Sequence, residues 1–295
     1  MSCQNKAVVS VKDLTLGIVN EDDPGRGYKF TVNYGTFDIF PGDFVIVKGR
    51  NGCGKSTFLR LFRLQGVKHF KVKNGEILFC CEGFPQKSIH NYSDDELSDL
   101  ACSVSFIKQD DEFASYDSAY SYIVRVCDTA LKYKLEVKYR GKKDALLLYH
   151  REYTEKRKEL DELIRKYYGK YLAESLGENY KIFLRKKARE WSGGQQKMIS
   201  VLADILKAKI CGLELMVMDE PLNNLDGKNK YILNGLIREL REDNPGLAII
   251  AITHCQIFDG INKVLTISEG EDGVRSARFE SKTEYAHTEC LENYK

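Results

Sequence analysis

The stretch GRNGCGKST, Gly49 to Thr57, constrains the fold more than any other part of this chain. It follows DFVIVK, an apolar run that reads as a strand, and precedes FLRLF, which reads as the start of a helix. Strand, glycine-rich loop and helix in that order are the setting the pattern G-x-x-x-x-G-K-[ST] requires. Glycines let backbone N–H groups curl round phosphates, and the helix N-terminus adds the positive end of its dipole. Gly49, Asn51, Gly52, Cys53, Gly54, Lys55, Ser56 and Thr57 are therefore candidate nucleotide-binding residues. Lys55 is expected to reach the β- and γ-phosphates and the Ser56 hydroxyl to bind Mg²⁺.

A magnesium ion held this way needs a second anchor, usually a carboxylate at the end of a neighbouring strand. LELMVMDE (213–220) offers one: an apolar run, then Asp219 and Glu220. Asp219 is expected to hold the ion through water. Glu220 stands next to it, placed to orient and polarise an attacking water.

Apolar runs elsewhere fit an α/β core. Strand-like segments are AVVSVKDLTL (7–16), YKFTVNY (28–34), DFVIVKG (43–49), EILFC (76–80), SVSFIKQ (103–109), LELMVMDE (213–220), LAIIAITH (247–254) and KVLTIS (263–268). FVIV and AIIAI are apolar at every position, as strands covered on both faces must be. The longest such runs are strand-sized, far short of the ~20 apolar residues of a bilayer span. MSCQNKAVVSVKD lacks the order of a secretory signal. Nine Cys, an odd count with no C-x-x-C spacing, argue against a disulfide framework or a zinc cage and for thiols in a reducing cytoplasm.

The middle of the chain differs. From Lys132 to Glu190, 18 Lys and Arg face 10 Asp and Glu, although the whole chain carries a net charge of only +2. Leu160, Leu163, Ile164, Tyr167 and Tyr171 recur at helical spacing, with Asp144 as the expected N-cap. LKYKLEVKYR (131–140) alternates like a strand. Ile123, Cys127, Leu131, Leu135 and Tyr139 also fall every fourth residue, and that longer stripe favours a helix. At its end WSGGQQK sets Ser192, Gly193 and Gly194 before the helix-like run KMISVLADILKA. Ser-Gly-Gly at a helix N-terminus is a second anion site. With one phosphate cradle already complete, the second is expected to complete a pocket on another copy, arranged head to tail across a two-fold axis.

These motifs, in this order, resemble the nucleotide-binding subunit of the ATP-binding cassette (ABC) ATPases from about residue 7 to 270. Walker A is GRNGCGKST. Gln109, ending SFIKQ, matches the Q-loop glutamine. Trp191 to Gln195 matches the signature, with Trp where Leu is usual. LELMVMDE is Walker B, NNLD with Asp226 the D-loop, and His254 the switch histidine. The resemblance implies a P-loop NTPase (RecA-like) α/β core with an N-terminal antiparallel β subdomain and an inserted, enlarged helical subdomain. It places the first part of the core at 1–115, the basic helical insertion at 116–190, the second part of the core at 191–270, and a tail at 271–295.

It further implies two subunits sandwiching two ATPs. Each lies between Lys55, Ser56, Asp219 and Glu220 of one chain and Ser192, Gly193, Gly194 and Gln195 of the other, with Asp226 nearby. Glu220, His254 and Gln109 are the expected catalytic residues, and Ser56, Gln109 and Asp219 the expected Mg²⁺ set. Glu220→Gln should trap the ATP dimer and Lys55→Ala should lose nucleotide. No aromatic after the first strand matches the family's usual adenine stack, leaving Tyr28 as a candidate. The driven partner is expected to be the membrane subunit of a transporter, making the chain cytoplasmic and peripheral at the inner face of the membrane. The alternative is a soluble ABC ATPase acting on nucleic acid or an effector protein. The basic, Tyr-rich runs YRGKKD, EKRK, RKYYGKY and RKKAR fit a polyanion, an anionic membrane or an acidic partner.

Overall fold

The computed structural model describes residues 6–19, 28–62, 70–80, 87–108, 113, 117–176, 179–253, 257–270 and 274–281. The first part of the chain forms β1 (Val9–Val19), β2 (Tyr28–Ile39), β3 (Phe44–Gly49), α1 (Lys55–Leu61), β4 (Phe70–Phe79), α2 (Asp94–Ala101) and β5 (Val104–Ile107). A helical segment follows: α3 (Ala119–Tyr139), α4 (Ala145–Tyr167), a π-turn at Tyr168–Leu172, α5 (Ala173–Leu176) and α6 (Tyr180–Arg185). Then come α7 (Gly193–Cys211), β6 (Leu215–Asp219), α8 (Gly227–Asp243), β7 (Ala248–Ile252), β8 (Lys263–Glu269) and β9 (Arg275–Ser281).

Among the described residues the nine strands make one mixed sheet in the order β4-β1-β2-β9-β8-β3-β7-β6-β5. The wing around β1 is antiparallel to β2 and β4. The centre, β8-β3-β7-β6-β5, is parallel throughout. An antiparallel wing on a parallel P-loop core is the architecture read from the sequence.

Core strands are buried on both faces, which explains their unbroken apolar runs. Phe44 and Ile46 of β3, Met216 and Met218 of β6, and Ile249 and Ala251 of β7 pack with α3, α4, α7 and α8 on one face. The residues between them, Val45, Val47, Leu215, Val217, Ile250 and Ile252, pack on the other with α1 and the β wing. Register then levels the strand ends. Val47 pairs with Ile252 and Ile252 with Asp219, so β3, β7 and β6 stop together at one edge. Ligands of open α/β sheets collect at that carboxyl edge.

The ambiguous run 131–140 is helical: Ile123, Cys127, Leu131 and Leu135 form the buried stripe of α3. Asp144 does take the N-cap position of α4, but not as an expected cap. It lies in the left-handed region at φ 60° and its side chain makes no capping bond. The turn that leads into it also holds Gly141 at a positive φ of 73°. Residues 275–281, left in the tail by the sequence, are strand β9, inserted between β8 and β2. Among the described cysteines, Cys53, Cys80, Cys102, Cys127 and Cys211 are free thiols. Burial pushes Cys102 and Cys211 up to about 11, which makes them inert at neutral pH. No described helix is long and apolar enough to cross a membrane.

Candidate active site

The loop leaving β3 is shaped by its glycines. At Gly49, φ 150°, a Cβ would lie 2.4 Å from the Ile267 carbonyl oxygen and 2.6 Å from Cys53 Sγ. At Gly54, φ 113°, it would lie 2.9 Å from Val32 Cγ2. A side chain at either place would displace the loop. Lys55 is 7% exposed. Its Nζ donates to the Gly49 carbonyl at 2.8 Å and the Arg50 carbonyl at 3.0 Å. The ammonium is thus held inside the loop, where an anion would replace the carbonyls. Asn51, Gly52 and Ser56 are exposed, and Thr57 partly so.

Two residues that the sequence did not single out hold this loop from outside. Tyr34 of β2, fully buried and stacked on Phe58, donates its hydroxyl to the Gly54 carbonyl at 3.0 Å. Burial, with the neighbouring Cys53 adding to it, pushes its phenol far above the ordinary range, so it remains a donor. Arg275 of β9 donates Nη1 to the Gly52 carbonyl at 2.9 Å. Its guanidinium lies over the Phe30 ring at 3.8 Å and pairs with Glu269 at 3.0 Å. No local signal marks Arg275, because the loop it holds lies 223 residues away.

Two strands from the loop, Asp219 ends β6 half-buried, with one carboxylate oxygen fully enclosed. Glu220 follows in the left-handed region at φ 48°. That conformation costs a non-glycine residue on the order of 1 kcal/mol and concentrates at functional sites. It is fixed by neighbours: the Glu220 N–H donates to the Ile252 carbonyl at 3.0 Å, and its carboxylate accepts from the Asn223 side chain. Asn223 is the first residue of NNLD. Asp226, at the end of that run, caps α8 by accepting from the Asn229 N–H at 2.8 Å.

Among the described residues no three His, Cys, Asp or Glu side chains converge on a metal position. A hydroxyl at Ser56 and a carboxylate at Asp219 are nevertheless hard oxygen donors. They suit Mg²⁺, which takes one or two protein ligands and fills the rest with water and phosphate. The donor set fits that ion and not zinc.

At the start of α7, Ser192 and Gln195 form a reciprocal capping box. Ser192 Oγ accepts from the Gln195 N–H at 3.3 Å, and Gln195 Oε1 from the Ser192 N–H at 3.0 Å. Ser192 and Gly193 are exposed. Gly194 lies against the NNLD turn: a Cβ there would sit 3.0 Å from the Asn224 carbonyl oxygen. Trp191 is 4% exposed and belongs to the core under α7, with Lys186 over its ring at 4.3 Å. It is the apolar plug that Leu would be elsewhere. Lys197, 2% exposed, donates to the Lys108 carbonyl and so ties α7 to the end of β5.

The structure therefore brings Gly49–Thr57, Asp219, Glu220 and Asn223 to one edge of the sheet. Ser192–Gln195 belongs to a different layer, since α7 packs on the opposite sheet face from α1. Gln109 and His254 lie outside the described residues, as do Tyr28's side-chain surroundings. The strands leading to the first two, β5 and β7, end at the same edge.

Eight of the 18 Lys and Arg of the basic segment form ion pairs among the described residues. Lys166 and Lys170 meet Glu239, Lys138 meets Glu152, Arg140 meets Asp99, and Arg157 lies between Asp128 and Asp161. Lys132 also pairs with Asp128, and Arg165 stacks over Tyr180. These pairs hold helices together, while the run RKKAR takes part in no ion pair among the described residues.

Comparison with known proteins gives one consistent family. Residues 32–223, well over half of the chain, match the sequence model of the family described as ABC transporter. The trehalose/maltose import ATP-binding protein MalK of Thermococcus litoralis is 26% identical over 75% of this chain and 48% of its own length. The cell division ATP-binding protein FtsE of Streptococcus pneumoniae is 24% identical over 95% of this chain and 99% of its own. The chain thus spans about half the length of the importer subunit and nearly all of the cell-division protein. Among solved structures, a dimeric bacterial ABC transporter cassette superposes with a TM-score of 0.60 at 20% identity, covering 94% of this chain and 100% of that one. That last likeness is one of fold.

Proposed function

The chain belongs to the ABC transporter family, and on that premise we propose that it binds and hydrolyses ATP in pockets shared between two copies of itself. The observation that carries this reading is the division of one site between two layers. The loop at Gly49–Thr57 and the acids at Asp219 and Glu220 share an edge of the sheet, whereas Ser192–Gly194 opens a helix on the other face. A second copy placed head to tail brings its Ser192, Gly193, Gly194 and Gln195 over the first copy's phosphates. Asp226 lies at the seam.

In this mechanism Lys55 leaves the Gly49 and Arg50 carbonyls for the phosphates, and the loop's N–H groups hold their oxygens. Ser56 and Asp219, with Gln109, would hold Mg²⁺, which would supply charge neutralisation at the transferring phosphoryl group. Glu220, steered by Asn223, orients the attacking water, and His254 supports the γ-phosphate side. Positioning and charge neutralisation do most of the catalysis in such transfers. Closure of the dimer on ATP, and its release after hydrolysis, drives a partner. We assign that partner to the membrane subunit of a transporter, with the insertion at 116–190 as the unit that meets it.

Mixing two inactive variants tests the shared pocket. Ser192→Arg spoils the capping end of α7 and Glu220→Gln spoils the water-orienting group. Mixed, they form one intact pocket per heterodimer, so ATPase activity should return. Activity that stays at the level of the separate variants would place each pocket within a single chain.

A further inference from the structure

The far end of the helical hairpin has a surface that nucleotide chemistry does not use. α3 and α4 run antiparallel, joined by the turn Arg140–Asp144 and cross-tied by Lys138 and Tyr139 to Glu152 and by Tyr153 to Asp128. The last buried residue of α3 is Leu135 and the first of α4 is Leu160. Between them Tyr139, Tyr149 and Tyr153 pack partly buried against the core, and most of the other side chains face outward. At this tip Leu146 and Leu147 are each 72% exposed, Leu148 is 38% exposed, and Tyr133 on the facing helix 39%. Consecutive exposed leucines are not demanded by helix formation and gain nothing from the fold.

The tip also presents two exposed lysines, Lys142 and Lys143. From Lys138 to Arg151, five Lys and Arg stand against one acid, Asp144. Lys138 and Arg140 are paired with Glu152 and Asp99, and Arg151 with Glu155. Lys142 rests over Tyr139 at 5.2 Å, and Lys143 is exposed beside it.

We propose that this tip docks on an anionic lipid membrane, with Leu146, Leu147 and Leu148 entering the interface and Lys142 and Lys143 meeting the headgroups. Three arguments favour lipid over a protein partner. Neighbouring helical residues point about 100° apart, so the leucines splay round the tip. A fluid apolar phase accepts that, whereas a protein groove reads an i, i+3, i+4, i+7 stripe. Protein hot spots favour Trp, Tyr and Arg and are poor in Leu, while interfacial anchors combine Leu with Lys. Charge complementarity then selects anionic headgroups, and long Lys stems let the ammonium stay at their level while the leucines descend. Tyr133, 39% exposed, supplies an amphipathic ring that favours the same depth.

The inference does not depend on nucleotide binding, and its test separates the two. The full-length protein is floated with phosphatidylcholine vesicles, with and without phosphatidylserine, at low and high salt. Wild type should float with the anionic vesicles and far less with the neutral ones. Leu146→Gln combined with Leu147→Gln should lower partitioning about tenfold, since half-burying two leucines is worth roughly that factor. Lys142→Gln combined with Lys143→Gln should lower it about tenfold at low salt and flatten the salt dependence. These side chains are exposed, so both variants should melt like wild type and bind ATP normally. Failure of the wild type to float at low salt would overturn the proposal, as would a leucine variant that floats equally well. So would retention confined to native membranes and abolished by treating those membranes with protease, which would assign the tip to a protein.

Discussion

Glu239 gives the sharpest test of how the helical insertion is fastened to the core. This α8 carboxylate is 8% exposed and accepts from Lys166 at 2.9 Å, Lys170 at 2.5 Å and the Tyr171 hydroxyl at 2.5 Å. Lys170 and Tyr171 both belong to the π-turn after α4, so one acid gathers the end of the inserted hairpin onto the helix that Asp226 begins. Burial opposes ionisation of Glu239, but the hydrogen bonds from Lys170, Tyr171 and Lys166 outweigh it and hold the carboxyl at about 2, against an ordinary 4.5. A depression of that size corresponds to a ceiling of about 3 kcal/mol. The two lysines are about half exposed, so solvent screening reduces this to about 1–2 kcal/mol. The sign follows from the direction of the shift: the contribution is full above about pH 4.5 and is lost as pH falls towards 2. Glu239→Gln keeps the shape and removes the charge. Urea unfolding at neutral pH should show the variant less stable by about 1–2 kcal/mol. Repeated at falling pH, the gap between variant and wild type should close below 4.5. A gap that stays constant from neutral pH down to 3 would refute the electrostatic account and leave only packing.

Four further outcomes follow from the site. Arg275→Ala frees the Gly52 carbonyl and should raise the KM for ATP about tenfold, the worth of one charge-assisted hydrogen bond, with kcat little changed. Glu269→Gln, which breaks only the ion pair of Arg275, should leave KM within about twofold in the same assay. Asn223→Ala releases the Glu220 carboxylate and should lower kcat by about tenfold or more while KM holds, read by steady-state phosphate release. Gly54→Ala meets Val32 and a φ of 113° and should abolish binding of a fluorescent ATP analogue in a chain that still folds.

The parts legible in the sequence were those encoded locally. DFVIV, LMVM and AIIAI announce themselves because strands covered on both faces cannot carry polar residues. The loop at 49–57 carries its geometry in its own glycines. The helix over 131–140 could be chosen because its stripe ran on through Cys127 and Ile123. What escaped was tertiary. RSARFES of β9 faces partly outward, so five of its seven residues are polar and no apolar run marks it. Tyr34 and Arg275 act on the loop through contacts 20 and 223 residues long. A window on the sequence sees the cations of 132–190 but not Glu239, whose partners lie about seventy residues upstream. Asp144 stands at the N-cap of α4 as its position suggests, but in the left-handed region and without a side-chain capping bond, a conformation the sequence does not announce.

Two copies of the chain share each ATP site in this mechanism. The direct measurement is the mass in solution of the Glu220→Gln protein with Mg²⁺ and either ATP or ADP, by light scattering on a sizing column. The account predicts twice the single-chain mass with ATP and a return to one chain with ADP, with the ATP-dependent dimer lost when Ser192→Arg is added. A single-chain mass with saturating ATP, in protein shown to bind it, would contradict the claim.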